Sequence, residues 1–438
     1  MSAELEADLT IGDCRIRNRL YRAPLLECAG NGPDAVDTLV RELEPAAAAG
    51  AGLIFQGATI VRPESGCAAP NMTRVHDPAF LERCERLTER IHDHGAKLFI
   101  QLAHGGLRSL EVWHAGYRAE HPGLEQLAVS RPPWLLRVAD RLGFVSFNPH
   151  VLSTDEVHEL AADFGKAAGA AVDAGYDGIH IAGANMGIVE QFCSPLFNRR
   201  DDEFGTSHRF LTVLHDAIRA EVGDEVPVVT KIPAESAAPR VLRHRLTQSD
   251  GIRLAKRAAE VGYDGLVPVT GTGFWDASIV RGEFPARAWD DRRFQDGYAD
   301  AFGGRIRRAV VRFGNRLQAA WLGNPTAWNA SFCRQVRREV DVPVLLEGGI
   351  RTRETIDRVL NTGVCDMVGM GRPFYAEPRL PARLLGASDD AEAVCENCNN
   401  CTVPQVTGAR GVCRTPAVLH RKAQLDQAGA YDRLESES

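Results

Sequence analysis

A parallel α/β barrel of eight strands, followed by a cysteine-rich segment, is the fold this sequence predicts. Three observations predict it. Short apolar runs recur along the chain, each ending in glycine or a polar residue. Each run is followed by a stretch whose apolar positions recur at three and four, as in a helix. The runs are near-continuous in Val, Ile and Leu rather than alternating, which marks strands buried on both faces of a parallel sheet. Eight such strands alternating with helices fit a TIM (β/α)8 barrel better than an open doubly wound sheet.

In order, the runs are RLYRAPL (19–25), GLIFQGA (52–58), KLFIQLAHGG (97–106), DGIHIAGA (177–184), VPVVTKI (226–232), DGLVPVTGTG (264–273), VPVLLEGGI (342–350) and CDMVGMGRP (365–373). Between the first four lie the clearest helices. DPAFLERCERLTERIHDHG (77–95) stops at Gly95. The segment 154–176 is expected to be capped by Thr154, with Glu156 and Val157 in its first turn. Two insertions interrupt the alternation, a polar, Pro-rich stretch at 107–153 and an Arg-, Trp- and Gly-rich one at about 274–330. Both follow strands, so both are expected on the face where barrels carry their sites, as lids, binding loops or contacts with another subunit. The barrel is assigned to residues 1–385, and the cysteine segment with a polar tail to 386–438.

Composition narrows the function. The 438 residues are 44% hydrophobic and 25% charged, with a net charge of -7. The pI is about 6.0, so bulk electrostatics give no attraction for nucleic acid. No apolar stretch approaches the length of a membrane span, and the acidic start MSAELEADLT lacks the pattern of a secretory leader. A cytoplasmic protein with no membrane partner is expected. Eleven cysteines then read as thiols or metal ligands rather than disulfides. Seven are scattered singly and are expected to be small buried hydrophobes. Four are not scattered. Cys395, Cys398 and Cys401 stand at two-residue gaps and Cys413 follows.

The glycine-ended strands seven and eight, LEGGIRT and GMGRPFY, are of the kind whose backbone N–H groups bind phosphate in barrels, with ordinary helix capping as the plainer reading. Together with RNRLYRAPL, QLAHGG, GYDGIHIAGA, EQFCSPLFNRRDDEFGTS and DMVGMGRPFYAEP in this order, they resemble the signature segments of the old yellow enzyme family across residues 17–378. That resemblance implies an FMN-binding barrel and an NAD(P)H-linked oxidoreductase. The cysteines resemble those of the subgroup containing 2,4-dienoyl-CoA reductase and trimethylamine dehydrogenase, which implies a [4Fe–4S] cluster on Cys395, Cys398, Cys401 and Cys413. Their spacing agrees, since three closely spaced thiols with a remote fourth serve a four-iron cluster. Zinc is the rival, although structural zinc more often uses two separated pairs.

Residue by residue, the resemblance places Pro24 and Leu25 along the flavin ring, and Ala58 and Gln101 at its edge. Lys231 falls beside flavin N1 and the C2 carbonyl, and Gly349, Gly371 and Arg372 at the phosphate. It also exposes two departures. Where the family usually has His-x-x-His or His-x-x-Asn and then Tyr, this chain has Ala182, Asn185 and Gly187. Half of the carbonyl clamp and the usual proton donor are absent. His180 shares the parity of Ala182 and is expected to face the barrel interior one layer lower, as a supporting site residue or a satisfied core histidine. Cys28, Phe274, Trp275, Asp276, Trp289 and Trp321 are further candidates on the loops.

The leading expectation is a flavin- and cluster-dependent oxidoreductase that reduces or forms an activated C=C bond on a small molecule. The alternative is an amine dehydrogenase or demethylase, and a third is an electron carrier. NAD(P)H is an expected donor, although no G-x-G-x-x-G follows a strand to bind it in a separate domain. With 25 residues after Cys413, the electron partner is expected on another polypeptide. Oligomeric state is left open.

Overall fold

The computed structural model describes residues 5–185, 187–238, 243–271, 280–386 and 391–432. Eight parallel strands form the barrel: β1 (Leu20–Arg22), β2 (Leu53–Ile60), β3 (Lys97–Ala103), β4 (Gly178–Ile181), β5 (Val228–Ala234), β6 (Gly265–Thr270), β7 (Leu345–Glu347) and β8 (Met367–Met370). Hydrogen-bonded ladders join them in the order 6-5-4-3-2-1-8-7. The ring closes through one bridge, where Leu266 of β6 meets Val344 just before β7 and its N–H donates to the Pro343 carbonyl at 3.0 Å.

Strand parity sorts the side chains. Tyr21, Phe55, Phe99, Val229, Val267, Leu345 and Met367 point inward and pack on one another. Their neighbours Leu20, Ile54, Ile100, Ile179, Leu266 and Val368 point outward into the larger core beneath the helices. Tyr21, Phe55 and Phe99 meet edge to face at 5.3 and 5.6 Å, the geometry aromatic rings prefer. The lower end is plugged by an antiparallel pair, Leu9–Ile11 with Cys14–Ile16. Ile11 and Ile16 are fully buried among the inward residues.

The outer layer holds α1 (Ala35–Ala48), α2 (Pro78–His92), α3 (Thr154–Asp173), α4 (Arg209–Val222), α5 (Gln248–Val261), α6 (Ala330–Arg337), α7 (Arg353–Asn361) and α8 (Leu380–Leu385). Asp77 caps α2 by accepting from the Ala79 N–H, with Pro78 at its first position. The cap of α3 is Ser153 rather than Thr154. Ser153 and Glu156 form a reciprocal capping box, which leaves Thr154 to donate to Asp202.

The two insertions are more ordered than polar loops. The first contains a small parallel sheet, Gln126–Ala128 with Pro149–Val151, and the helix Trp134–Arg141. The second contains the helices Ala286–Asp290, Gln295–Phe302 and Arg305–Leu322. The cysteine segment folds back on the barrel, where Gln405 Nε2 and Tyr375 Oη both donate at 2.7 Å to the Leu26 carbonyl. Of the seven scattered cysteines, Cys14 is half-buried and the other six are buried. No helix among the described residues is long and apolar enough to cross a membrane.

Candidate active site

The upper ends of the strands open into a cavity of about 1050 Å³. Its floor is the last inward-facing layer. Lys231 on β5 is buried there, and its Nζ donates to Glu347 Oε2 on β7 at 2.8 Å. Tyr21 Oη donates to the other carboxylate oxygen at 3.4 Å. Beside them, Gln101 Nε2 on β3 donates to His180 Nδ1 at 3.2 Å. That bond assigns the ring proton to Nε2, which has no partner among the described residues. His180 is fully buried against the Phe55 ring, 4.6 Å between centroids. Burial, with Lys231 nearby, holds its pKa well below the ordinary value, so the ring is neutral.

Every predicted non-cysteine site residue lines this cavity except His180. Pro24, Leu25 and Ala58 come from the ends of β1 and β2, and a buried ion pair fixes their loops. Arg22 donates to Glu27 Oε1 at 2.8 Å, and Glu27 Oε2 accepts from the Gly57 N–H at 3.0 Å. The backbones approach so closely that a Cβ on Gly57 would lie 1.3 Å from the Leu25 carbonyl oxygen. Asn185 sits on the wall in a left-handed conformation, φ 79°. Its carbonyl accepts from Arg108, and its buried Oδ1 has no donor among the described residues. Ala182 and Gly187 line the same wall and offer no side-chain hydrogen bonds.

At the β7–β8 end, Gly348 and Gly349 have φ of 110° and 72°. The Trp328 indole lies against them, and a Cβ on Gly349 would meet it at 2.7 Å. Arg372 is buried beyond. Its guanidinium donates to Asn399 Oδ1 and, at 2.7 Å, to the Arg281 carbonyl. It is therefore tied to the cysteine segment while also lining the large cavity.

Cys395, Cys398, Cys401 and Cys413 line a second, small cavity that shares the wall of Arg372, Tyr375, Asn397 and Asn399 with the first. The Asn397 N–H donates to Cys395 Sγ at 3.5 Å, and Asn400 Nδ2 to Cys398 Sγ at 3.3 Å. Burial pushes Cys401 up to about 12 and also raises Cys395 and Cys413. Among the described residues no three His, Cys, Asp or Glu side chains converge as ligands of a single metal ion.

Sequence reasoning missed Glu347, Glu27, Arg108 and His104. Glu347 carried a signal, because it ends an apolar run at the inward parity of Leu345 and just precedes two glycines. His104 lies inside the QLAHGG segment. Its Nδ1 accepts from the Gly106 N–H and its Nε2 donates to Ser65 Oγ, both at 3.1 Å. Burial lowers its pKa to about 3, so it is a neutral brace for the turn leading to Arg108. Cys28 is buried outside the cavity lining, with its thiol pushed up to about 12 by burial. Trp289 lines the roof and donates from Nε1 to Asn315 at 3.1 Å, while Trp321 stands at the mouth. Phe274, Trp275 and Asp276 lie outside the described residues.

A family model for the NADH:flavin oxidoreductase / NADH oxidase family matches residues 5–250, more than half of the chain. The chain belongs to that family. A member from Thermoanaerobacter brockii, NADH oxidase, is 25% identical over 421 residues, covering 92% of this chain and 56% of the relative. The 4,4'-dithiodibutanoate disulfide reductase of Rhodococcus erythropolis is 26% identical over 427 residues, covering 95% and 96%. Among solved structures, a 2-naphthoyl-CoA reductase complex superposes with a TM-score of 0.72 at 17% identity, covering 96% of this chain and 58% of that one; this likeness is one of fold. The chain spans about half the length of several of the curated family relatives it matches.

Proposed function

We propose that the chain is an FMN-dependent oxidoreductase that reduces, or in reverse forms, an activated C=C bond on a small molecule. One observation carries this reading: a buried cation, Lys231, is held by Glu347 on the floor of a large cavity. A flavin fits the residues present. The floor offers Lys231 and Gln101, the wall holds the orphaned Asn185 Oδ1, and the β7 end supplies exposed backbone at glycines. Pro24, Leu25, Ala58 and Gln101 would hold the ring, and Gly349, Gly371 and Arg372 the phosphate end. Bound there, FMN supplies hydride chemistry, with NAD(P)H as the expected donor.

Lys231 sets a positive charge where reduction builds negative charge, in a dry site that strengthens the effect. Gln101 orients the ring edge and is itself oriented by neutral His180. Asn185 is left at the clamp position to meet a substrate carbonyl, since Ala182 and Gly187 supply no donor, and Arg108 braces its backbone. Among the described lining residues the sole carboxylate is Glu347, already held by Lys231, whereas Arg108 and Arg307 also face the cavity. Such a cavity suits a neutral or anionic substrate over a protonated amine, which sets the alkene reading ahead of amine dehydrogenation.

The four cysteines fit a [4Fe–4S] cluster. They surround one cavity, and two of their sulfurs, those of Cys395 and Cys398, accept hydrogen bonds from Asn397 and Asn400, contacts of the kind that tune cluster thiolates. Zinc on the same thiols is the rival reading, and metal analysis separates the two. If bound there, a cluster would supply one-electron chemistry, with Arg372 and Tyr375 forming the wall it shares with the large cavity, and an external carrier protein would be its partner.

The test is anaerobic purification with flavin, iron and sulfide analysis, then titration with NADH, NADPH and dithionite. Reoxidation of the reduced protein by an enone or enoate is expected. Bleaching of the oxidised protein by an amine would favour the alternative. Flavin without iron would sink the cluster assignment and leave the oxidoreductase reading standing.

A further inference from the structure

The second insertion places an unusual helix at the cavity mouth. Arg305–Leu322 contains five arginines and no acidic residue, and none of its side chains is fully buried. At 3.6 residues per turn, Ile306, Val310, Phe313, Leu317 and Trp321 fall within an arc of about 80° and run about 22 Å along the axis. All five face solvent, Ile306 at 81%, Phe313 at 61% and Trp321 at 56% exposure. The opposite face, through Asn315 and Arg308, bonds to Trp289 and Gln295. The stripe is therefore the outer face of a helix already seated on the protein.

A second apolar surface adjoins it. The helix Trp134–Arg141 and the turn after it expose Trp134 at 62% and Leu142 at 67%. Gly143 lies beside the Arg307 guanidinium, so the two segments touch. Arg131, Arg137 and Arg141 flank this patch, with Asp140 as the one acid among them. Phe144, Val311, Leu317 and Trp321 line both the patch and the cavity mouth.

We propose that this face docks on an anionic lipid surface, lying in the headgroup layer and opening the cavity toward it. An apolar stripe with Trp, Phe and Leu, rimmed by arginine, is the pattern of an interfacial helix. Charge selects the occupant. The chain as a whole is acidic, at -7, yet this face is basic, so an anionic surface is attracted here and repelled elsewhere. A second copy is the poorer partner. With no acid on the helix, pairing the stripe with itself sets arginine rims against each other. This docking is distinct from spanning, for which no described helix qualifies.

Flotation of the flavin-loaded protein with vesicles tests it. Binding is expected to phosphatidylglycerol–phosphatidylcholine vesicles, not to phosphatidylcholine alone, and to weaken as salt is raised. The double variant Ile306→Asp/Phe313→Asp, at exposed positions outside the cavity lining, is expected to lower the bound fraction at least tenfold with melting and flavin content unchanged. Arg305→Gln and Arg316→Gln each lower partitioning about fivefold. Failure to float with anionic vesicles, or flotation that survives the double variant, overturns the proposal. So does a wild-type dimer in sedimentation that the double variant splits, because the face then belongs to a second copy.

Discussion

The floor of the large cavity and its rim are built differently. The floor is made of strand ends, whose inward parity leaves each side chain one direction to point. Lys231 and Glu347 meet there in a buried ion pair, with Gln101 and His180 beside them. The rim is made of two insertions whose helices pack on the protein by one face and turn apolar side chains to solvent by the other. A closed ring fixes chemistry in place, while inserted segments set what reaches it. Substitutions should therefore cost stability and cofactor at the floor, and affinity for partners at the rim.

The largest effect is expected at Lys231. Lys231→Met strands the Glu347 carboxylate on a dry floor, a loss of about 3–5 kcal/mol when one partner of a buried pair is removed. Denaturant unfolding should report it, together with loss of bound flavin. Lys231→Met/Glu347→Leu should regain much of the stability but not the flavin, separating the two roles.

The next test lies just past the end of β5, outside the cavity lining. Glu235 follows β5, accepts from Ser194 Oγ at 3.0 Å, and accepts from the Leu246 N–H. Burial and neighbouring Glu190 raise its pKa from 4.5 to about 8. Between those values the folded chain holds a proton that the unfolded chain has released. Its stabilisation is complete below the unfolded value and is lost as the pH rises toward about 8. Glu235→Gln should remove that part of the fall in melting temperature between about pH 5 and pH 8.

A smaller loss is expected from Gly349→Ala, about 1–3 kcal/mol, because φ is 72° and a Cβ would press on Trp328. Flavin affinity should fall with it, measured by fluorescence on release. The smallest effect is at the rim, where Ile306→Ser should shift stability by no more than about 0.5 kcal/mol in thermal melts. A larger change there would mean that the rim carries load the floor was thought to bear alone.

What the sequence revealed follows the same division. Buried strands announce themselves because every position must be apolar or paired, so the eight runs and the inward parity of His180 were legible. Lys231 stood out as a cation inside such a run. Glu347 was harder, since its partner lies 116 residues away and only the ring brings them together. Arg372 read as a phosphate ligand because its glycine context is local, whereas Asn399, which turns it toward the thiols, is distant in sequence. The helix Arg305–Leu322 escaped because its apolar residues face outward, and periodicity alone does not say whether a stripe meets a core or solvent.

The plug at the lower end of the barrel has a consequence in time. Ile11 and Ile16 precede all eight strands, yet they belong to one buried cluster with side chains from β1, β2, β3, β5, β6, β7 and β8. This hairpin, made before the strands, thus has no complete seat until β8, more than 350 residues later, has joined β1. A segment made ahead of the strands becomes a late-docking stopper, and the lower mouth of the ring stays open until the chain that closes it has been made.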